Sequence, residues 1–194
     1  SAPASPKRSE LHRIFDLYVK GKILLDTPTL TVRREETMAP VVTYAYEDFT
    51  VGQEFPLGPQ SLTAEQIIAF ASEFDPQPMH LSEEAGRQSI LGGLAASGWH
   101  TCSLLMRMMA DSYISDSTSQ GSPGIDYVDW KKPVLAGDTL SGKSIVLEQR
   151  PSASRPGIGL VKLRHELYNQ HGVLVSHGEN TVMFLMRKNG GVAA

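Results

Sequence analysis

The chain has 194 residues, of which 41% are hydrophobic and 20% are charged, and its formal net charge is −3. Such a composition is typical of one globular domain with a buried core, and the weak negative charge argues against nucleic acid or an anionic membrane as a partner. Cys102 is the only cysteine, which excludes an internal disulfide and favours a reducing, cytoplasmic compartment.

The first 37 residues are predicted to be an extension of the main domain. The segment "SELHRIFDLYVKGKILL" places apolar residues at helical spacing, and "TLTVRREET" is predicted to be a short strand. Met38 then opens a segment, residues 38–194, that has the pattern of a self-sufficient domain. We therefore expect Met38 to be an alternative natural start, and residues 1–37 to be partly disordered or non-native.

The main domain begins with extended chain and continues into the amphipathic helix "TAEQIIAFASEF", which Thr63 is predicted to cap. Its predicted apolar face consists of Ile67, Ile68, Phe70, Ala71 and Phe74. Pro76 and Pro78 follow immediately, and each fixes its own φ and drives the preceding residue to extended geometry. The helix must therefore end at Phe74 or Asp75.

The sequence pattern of the remaining residues predicts helices first and strands afterwards. "SEEAGRQSI" is a short helix capped by Ser82, and "WHTCSLLMRMMADSYI" is a long apolar helix that follows a Gly/Ala-rich loop. The segment from residue 159 to 186 alternates apolar and polar residues around a four-residue turn at 169–172, which predicts a β-hairpin. This order indicates an α+β fold in which the long helix lies on an antiparallel sheet.

The turn "DPQPMH" carries the strongest functional signal. Asp75 and His80 lie five residues apart on a segment that the two prolines stiffen, so both side chains can be aimed at one water molecule. Each residue alone also has a structural interpretation, since an Asp before Pro ends helices and a loop His can hold a carbonyl. Together they favour general acid–base catalysis, with the principal base left open between them.

A second half of the site is predicted at the start of the long helix. Ser97 and Gly98 precede or open that helix, where free N–H groups and the helix dipole can stabilise a developing oxyanion. Gly98 lacks a side chain, so a substrate oxygen can approach its N–H closely, although small residues also serve helix–sheet packing. His100, on the first turn, is predicted to have a packing or supporting role.

No metal site is predicted. The histidines outside the predicted site show no spacing that is typical of metal ligands. They are His12, His165, His171 and His177.

Three segments carry a family resemblance: "FASEFDPQPMHLSEEAG", "GGLAASGWHT" and "KKPVLAGDTL". Together they resemble the MaoC-like acyl dehydratases, or (R)-specific enoyl-CoA hydratases, over about residues 45–187. The family motif is an acid, x-Asn-Pro-x and His, which here reads Asp75 to His80 with Gln77 in the place of Asn. A glycine, Gly98, follows the His by 18 residues (98 − 80), as the family pattern expects.

The resemblance implies a hotdog fold, an antiparallel sheet wrapped around one long helix. It implies hydration of 2-enoyl thioesters by Asp75 and His80, with Gly98 and Ser97 at the thioester oxygen. It also implies an acyl pocket shaped by Gln77, Met79 and Trp99, a coenzyme A or carrier-protein thioester as substrate, no further cofactor, and a homodimer joined at sheet edges. Two alternatives stay open: a hotdog thioesterase and a non-catalytic acyl-thioester-binding module.

Overall fold

The computed structural model describes residues 24–26, 31–33 and 43–187. The chain divides into two compact units, residues 1–41 and 42–194. In the first unit, β1 (Leu24–Asp26) pairs antiparallel with β2 (Thr31–Arg33), which lies in the segment predicted to be a strand. The helix predicted upstream and the domain boundary predicted at Met38 fall outside the described residues, so that boundary stays a prediction.

The second unit contains a five-stranded antiparallel sheet in the order β3-β5-β6-β7-β4. Its strands are β3 (Glu54–Ser61), β4 (Ile125–Trp130), β5 (Thr139–Pro151), β6 (Ile158–Tyr168) and β7 (Leu174–Leu185). β6 and β7 form the predicted hairpin, and their turn spans the predicted residues 169–172. β4 comes before β5 in the chain but lies at the far edge, beside β7.

Four α-helices and one short 3₁₀ helix, Tyr46–Asp48, accompany the sheet in residues 43–187. The α-helices are α1 (Ala64–Phe74), α2 (Pro78–Leu81), α3 (Glu83–Gln88) and α4 (Gly98–Met109). α4 continues into a π-helical turn, Ala110–Ile114, whose Tyr113 is fully buried. None of the helices in this described part of the chain is both long and apolar enough to cross a membrane.

The core lies between α4 and the inner face of the sheet. Alternate residues of β6, including Val161, Leu163 and Leu167, are buried, as expected for a strand with one covered face. They form one cluster with Met108 and Met109 of α4. This arrangement confirms the predicted α+β class and the hotdog fold that the resemblance implied.

The predicted apolar face of α1 is too wide. Ile67 and Ala71 are buried, but Ile68 is at the border of exposure and Phe74 is 64% exposed. α1 therefore presents only a narrow stripe to the core, and the prediction for Ile68 and Phe74 is wrong. The short helix α2 was not predicted, because four residues are too few to show a helical period.

Candidate active site

The turn that follows α1 is held by its own backbone. The Asp75 N–H donates to the Ala71 carbonyl at 2.9 Å, which makes Asp75 the last capping residue of α1. The Gln77 N–H donates to the Asp75 carbonyl at 2.7 Å, and the His80 N–H donates to the Gln77 carbonyl at 2.9 Å. Pro78 opens α2, where the missing N–H of proline costs no helical hydrogen bond. The predicted end of α1 is confirmed, and the turn holds Asp75 and His80 in one arrangement.

Two side chains hold the Asp75 carboxylate. The Ser97 hydroxyl donates to Oδ2 at 2.5 Å, and the Gln77 amide donates from Nε2 to Oδ1 at 2.7 Å. These hydrogen bonds, that from Ser97 first, hold the pKa of Asp75 below its usual value, because they favour the charged form. Asp75 is therefore an oriented, ionised carboxylate, with 18% of its side chain exposed.

His80 is buried and has a defined tautomer. Its Nδ1 lies 2.7 Å from the carbonyl oxygen of Ala95, and a carbonyl only accepts, so Nδ1 donates. In the neutral ring the other nitrogen, Nε2, then has its lone pair free. Nε2 lies 3.7 Å from Oδ2 of Asp75. A basic nitrogen and a carboxylate oxygen thus face each other at a separation longer than a direct hydrogen bond.

The start of α4 lies beside this pair. Ser97 is the N-cap, and its Oγ accepts from the Trp99 N–H at 3.2 Å while its hydroxyl donates to Asp75. Gly98 is the first helical residue, and within residues 43–187 its N–H has no hydrogen-bond acceptor. One free backbone donor at the positive end of a helix is therefore available close to the Asp75 carboxylate.

A cleft of about 270 Å³ opens beside His80 and Gly98. Its walls come from the Asp75–His80 turn, the loop before α4, and the end of β4 with the loop that follows. Those lining it include Met79, His80, Leu91, Ala95, Ala96, Gly98, Thr101, Trp130, Lys131, Lys132, Pro133, Val134 and Val175. The cleft combines an apolar floor with two lysine side chains.

Trp130 is the site residue that sequence reasoning missed. A Cβ added to Gly98 would lie 2.5 Å from the Trp130 ring, so the indole packs directly on the glycine. Only the segment "DWKKP" hints at it, because Trp130 directly precedes the quoted "KKPVLAGDTL". The missing side chain of Gly98 thus makes room for the indole.

The other predicted site residues separate into two groups. Met79 lines the cleft, and Gln77 holds Asp75. Trp99 is 60% exposed and packs edge-on against Trp130. His100 turns toward α1, where its ring stacks on Phe70 at a centroid distance of 4.4 Å.

His100 has a different environment from His80. Its Nδ1 is buried without a hydrogen-bond partner in the described part of the chain, and burial lowers the pKa of its ring. The ring is therefore neutral near neutral pH. It packs on α1 and does not line the cleft.

Comparisons with known proteins agree on one family. Residues 48–163 match the model of the MaoC like domain, which is more than half of the chain. An uncharacterized protein of Bacillus subtilis (strain 168), YdeM, is 32% identical over 138 residues, which cover 71% of this chain and 96% of that protein.

Solved structures share the fold. A MaoC-like dehydratase from Rhodospirillum rubrum is 39% identical, with a TM-score of 0.69 over 75% of this chain and 99% of its own. An (R)-hydratase from Pseudomonas aeruginosa, PhaJ1, is 21% identical, with a TM-score of 0.60 over 77% of this chain and 96% of its own. A mycobacterial protein described as a double hotdog fold has a TM-score of 0.64 at 16% identity, covering 77% of this chain and 46% of its own. At 21% and 16% identity, the last two comparisons show a shared fold and nothing more.

Proposed function

The chain belongs to the MaoC-like domain family, and from that premise we propose that it is a hydro-lyase that adds water reversibly across the double bond of a 2-enoyl thioester. The proposal rests mainly on one observation: His80 Nε2 and Asp75 Oδ2 face each other at a distance of 3.7 Å. That separation suits one water oxygen that is hydrogen-bonded to both groups, since each contact then has an ordinary length.

In the hydration direction His80 takes a proton from this water, and the oxygen attacks C3 of the enoyl group. His80 is the base because its Nε2 lone pair is free, whereas two hydrogen bonds and a lowered pKa make the Asp75 carboxylate a weaker base. Asp75 orients the water and stabilises the imidazolium. The proton is then delivered to C2, so that the elements of water are divided between C3 and C2.

The thioester oxygen gains negative charge while C3 is attacked, because the electrons of the double bond move toward the carbonyl. The Gly98 N–H is placed to stabilise this charge, together with the dipole of α4. Ser97 is committed to Asp75 and to the Trp99 N–H, so we assign it the positioning of Asp75. Met79 and the apolar lining hold the carbons next to the thioester.

The carrier of the acyl group is proposed to be coenzyme A or a carrier-protein pantetheine, both of which bear phosphate. Lys131 and Lys132 line the cleft and supply positive charge beside it. Lys131 is also paired with Asp129 at 2.8 Å. Lys132 has no ion pair within residues 43–187 and is the better candidate for a phosphate contact.

The protein is proposed to form a homodimer through β4. This strand is an edge of the sheet, and its Ile125 and Trp130 are exposed in the single chain. An edge with free backbone groups and exposed apolar side chains favours pairing with a second copy. Trp130 belongs to both this edge and the cleft, so the dimer would bring the active site close to the subunit boundary.

A thioesterase with the same substrates is the alternative that an experiment must separate. Crotonyl-CoA and longer 2-enoyl-CoA thioesters are incubated with the protein, and both the enoyl absorbance and the release of free thiol are followed. The proposal predicts loss of enoyl absorbance without thiol release, and formation of enoyl thioester from 3-hydroxyacyl-CoA. Thiol release at the same rate as enoyl loss would identify a thioesterase, and no turnover of any thioester would favour a binding module.

A further inference from the structure

A series of hydrogen-bonded polar side chains crosses the inner face of the sheet. It does not include Asp75 or His80. The Tyr113 hydroxyl donates to Ser144 Oγ at 3.2 Å, and Ser144 Oγ lies 2.8 Å from Nδ1 of His165. The other ring nitrogen, Nε2, lies 2.9 Å from Oδ1 of Asn180. Tyr113, Ser144 and His165 are all buried, and the proposed reaction uses none of them.

The direction of the hydrogen bonds follows from the donors. Tyr113 donates to Ser144, so the Ser144 hydroxyl is free to donate to Nδ1 of His165, which then carries no proton. The proton of the neutral ring sits on Nε2 and is donated to Oδ1 of Asn180. Burial lowers the pKa of His165, which keeps the ring neutral.

Asn180 is therefore the last side chain of this hydrogen-bonded series, and its amide nitrogen is left as a donor. Its Oδ1 is committed to His165, and its Nδ2 makes no hydrogen bond to any atom of residues 43–187. Asn180 and His165 both line a second cavity, of about 110 Å³, whose other side chains are mostly apolar. Those lining it include Cys102, Leu105, Met106, Met109, Ile125, Val128, His165, Gly178, Glu179 and Asn180. Asn180 is only partly buried, so water can reach its amide. A ligand that fills the cavity displaces this water, which costs free energy unless the ligand supplies an acceptor.

The second cavity lies along the same three elements as the reaction cleft. Both cavities are lined by α4, β4 and β7, and the cleft is lined by Gly98, Trp130 and Val175. The residues of the second cavity lie later on α4 and β7 and earlier on β4, which runs antiparallel to β7. From Gly98 to Leu105 the helix rises about 10 Å. Three bonds of an extended chain advance about 3.6 Å, so this distance corresponds to roughly eight bonds of an acyl chain.

Trp130 and Cys102 mark the boundary between the two cavities. Trp130 lines the reaction cleft and Cys102 lines the second cavity. The Trp130 side chain lies close enough to the Cys102 thiol to oppose the rise that burial causes in its pKa. This indole is half exposed on an edge strand, so its displacement by an acyl chain does not disturb the core.

We infer that the preferred substrate is a medium-length 2-enoyl thioester whose far end carries a neutral hydrogen-bond acceptor, such as a hydroxyl or carbonyl oxygen, bound by the Asn180 amide. This inference rests on the proposed hydratase function and names the substrate class for that site. A carboxylate end is disfavoured, because no lysine or arginine among residues 43–187 lines the second cavity. The nearby charge is that of Glu179, which is paired with Arg164 and Lys162.

The test compares two 2-enoyl-CoA thioesters of equal length, 2-octenoyl-CoA and 8-hydroxy-2-octenoyl-CoA, with crotonyl-CoA as a short reference. The ratio of kcat/KM for the hydroxylated over the plain substrate is measured in the wild type and in Asn180→Leu. The inference predicts a wild-type ratio of about ten or more, because an apolar end displaces water from the Asn180 amide without replacing its hydrogen bond. In Asn180→Leu the ratio should fall below one, because an apolar end then meets an apolar side chain. Thr181→Val is the matched control, since Thr181 is adjacent on β7 but points to the opposite face.

The outcomes separate the inference from the proposed function. A wild type that hydrates crotonyl-CoA but shows a ratio near or below one overturns the inference, whatever the folding of Asn180→Leu. An unchanged ratio in a folded Asn180→Leu protein overturns the role of Asn180. A wild type that hydrates none of the three thioesters overturns the proposed function, and the inference with it.

Discussion

The Ser97 hydroxyl lies 2.5 Å from Oδ2 of Asp75 and joins the start of α4 to the end of α1. The two residues are 22 positions apart, and each terminates its helix: Ser97 is the N-cap of α4 and Asp75 is the C-cap of α1. One hydroxyl therefore caps the helix that presents the Gly98 N–H and also holds the carboxylate that faces His80. This contact fixes the two halves of the proposed active site relative to each other.

Replacement of Ser97 by Ala should lower kcat for enoyl hydration roughly 10- to 100-fold, since the carboxylate loses its main positioning contact. It should also cost about 0.5–2 kcal/mol of unfolding free energy from the lost cap. Ser82→Ala is the control, because Ser82 caps α3 through the Ala85 N–H without contacting Asp75. An equal loss of kcat in Ser82→Ala would show that cap loss alone explains the effect.

The pH dependence of the Ser97→Ala effect has a definite sign. Ser97 is the largest cause of the lowered pKa of Asp75, so its hydrogen bond stabilises the folded state above the unfolded pKa of about 3.9. This contribution is lost as the pH falls through the folded pKa. The difference in unfolding free energy between wild type and Ser97→Ala, measured by urea denaturation, should therefore be larger at pH 7 than at pH 3. A difference that does not change with pH would mean that only the cap is lost.

Gly98 and Trp130 should be energetically coupled. Gly98→Ala places a Cβ 2.5 Å from the indole and should destabilise the protein by about 1–3 kcal/mol through overpacking. In Gly98→Ala/Trp130→Ala the clash is gone, so the double variant should lose less stability than the sum of the two single variants. Gly124→Ala is the control, because a Cβ there meets nothing within 4 Å. Additive losses, measured by thermal unfolding, would show that the indole does not rest on Gly98.

His100→Phe should raise stability by about 1 kcal/mol at neutral pH, because it removes a buried nitrogen that has no partner among residues 43–187 and keeps an aromatic ring on Phe70. Since burial lowers the pKa of His100, the unfolded chain binds a proton that the folded chain does not, and the wild type loses stability below the unfolded pKa of about 6.5. The advantage of His100→Phe should therefore grow between pH 7.5 and pH 5.5. A large loss of activity at unchanged stability would instead place His100 in the reaction.

The part of the site that could be predicted from sequence is the part that the chain forms locally. Pro76 and Pro78 end α1 at Asp75 and stiffen the turn, so the facing of Asp75 and His80 follows from residues within one short segment. The long helix opened by Gly98 was predictable for the same reason, because its apolar period is long.

The contacts that could not be predicted join distant segments. The Ser97–Asp75 hydrogen bond depends on how α1 and α4 meet, and the Trp130–Gly98 contact depends on β4 lying at the edge beside β7. The hydrogen-bonded series from Tyr113 to Asn180 requires the pairing of Ser144 with His165 across β5 and β6. Strand order and register are set by tertiary packing, which the local pattern of one sequence does not predict.

The most direct test of the proposed mechanism is the hydration rate of a 2-enoyl-CoA thioester in Asp75→Asn, His80→Gln and the double variant. Each single change keeps the shape of the side chain and removes its charge or proton transfer, so each should lower kcat by roughly 10²–10⁴-fold. The double variant should be little slower than the slower single variant, because both groups act on one water. Glu73→Gln and His171→Gln, both at exposed positions, should retain wild-type rates. Near wild-type hydration in either single variant, or losses that multiply in the double variant, would contradict the shared water between Asp75 and His80.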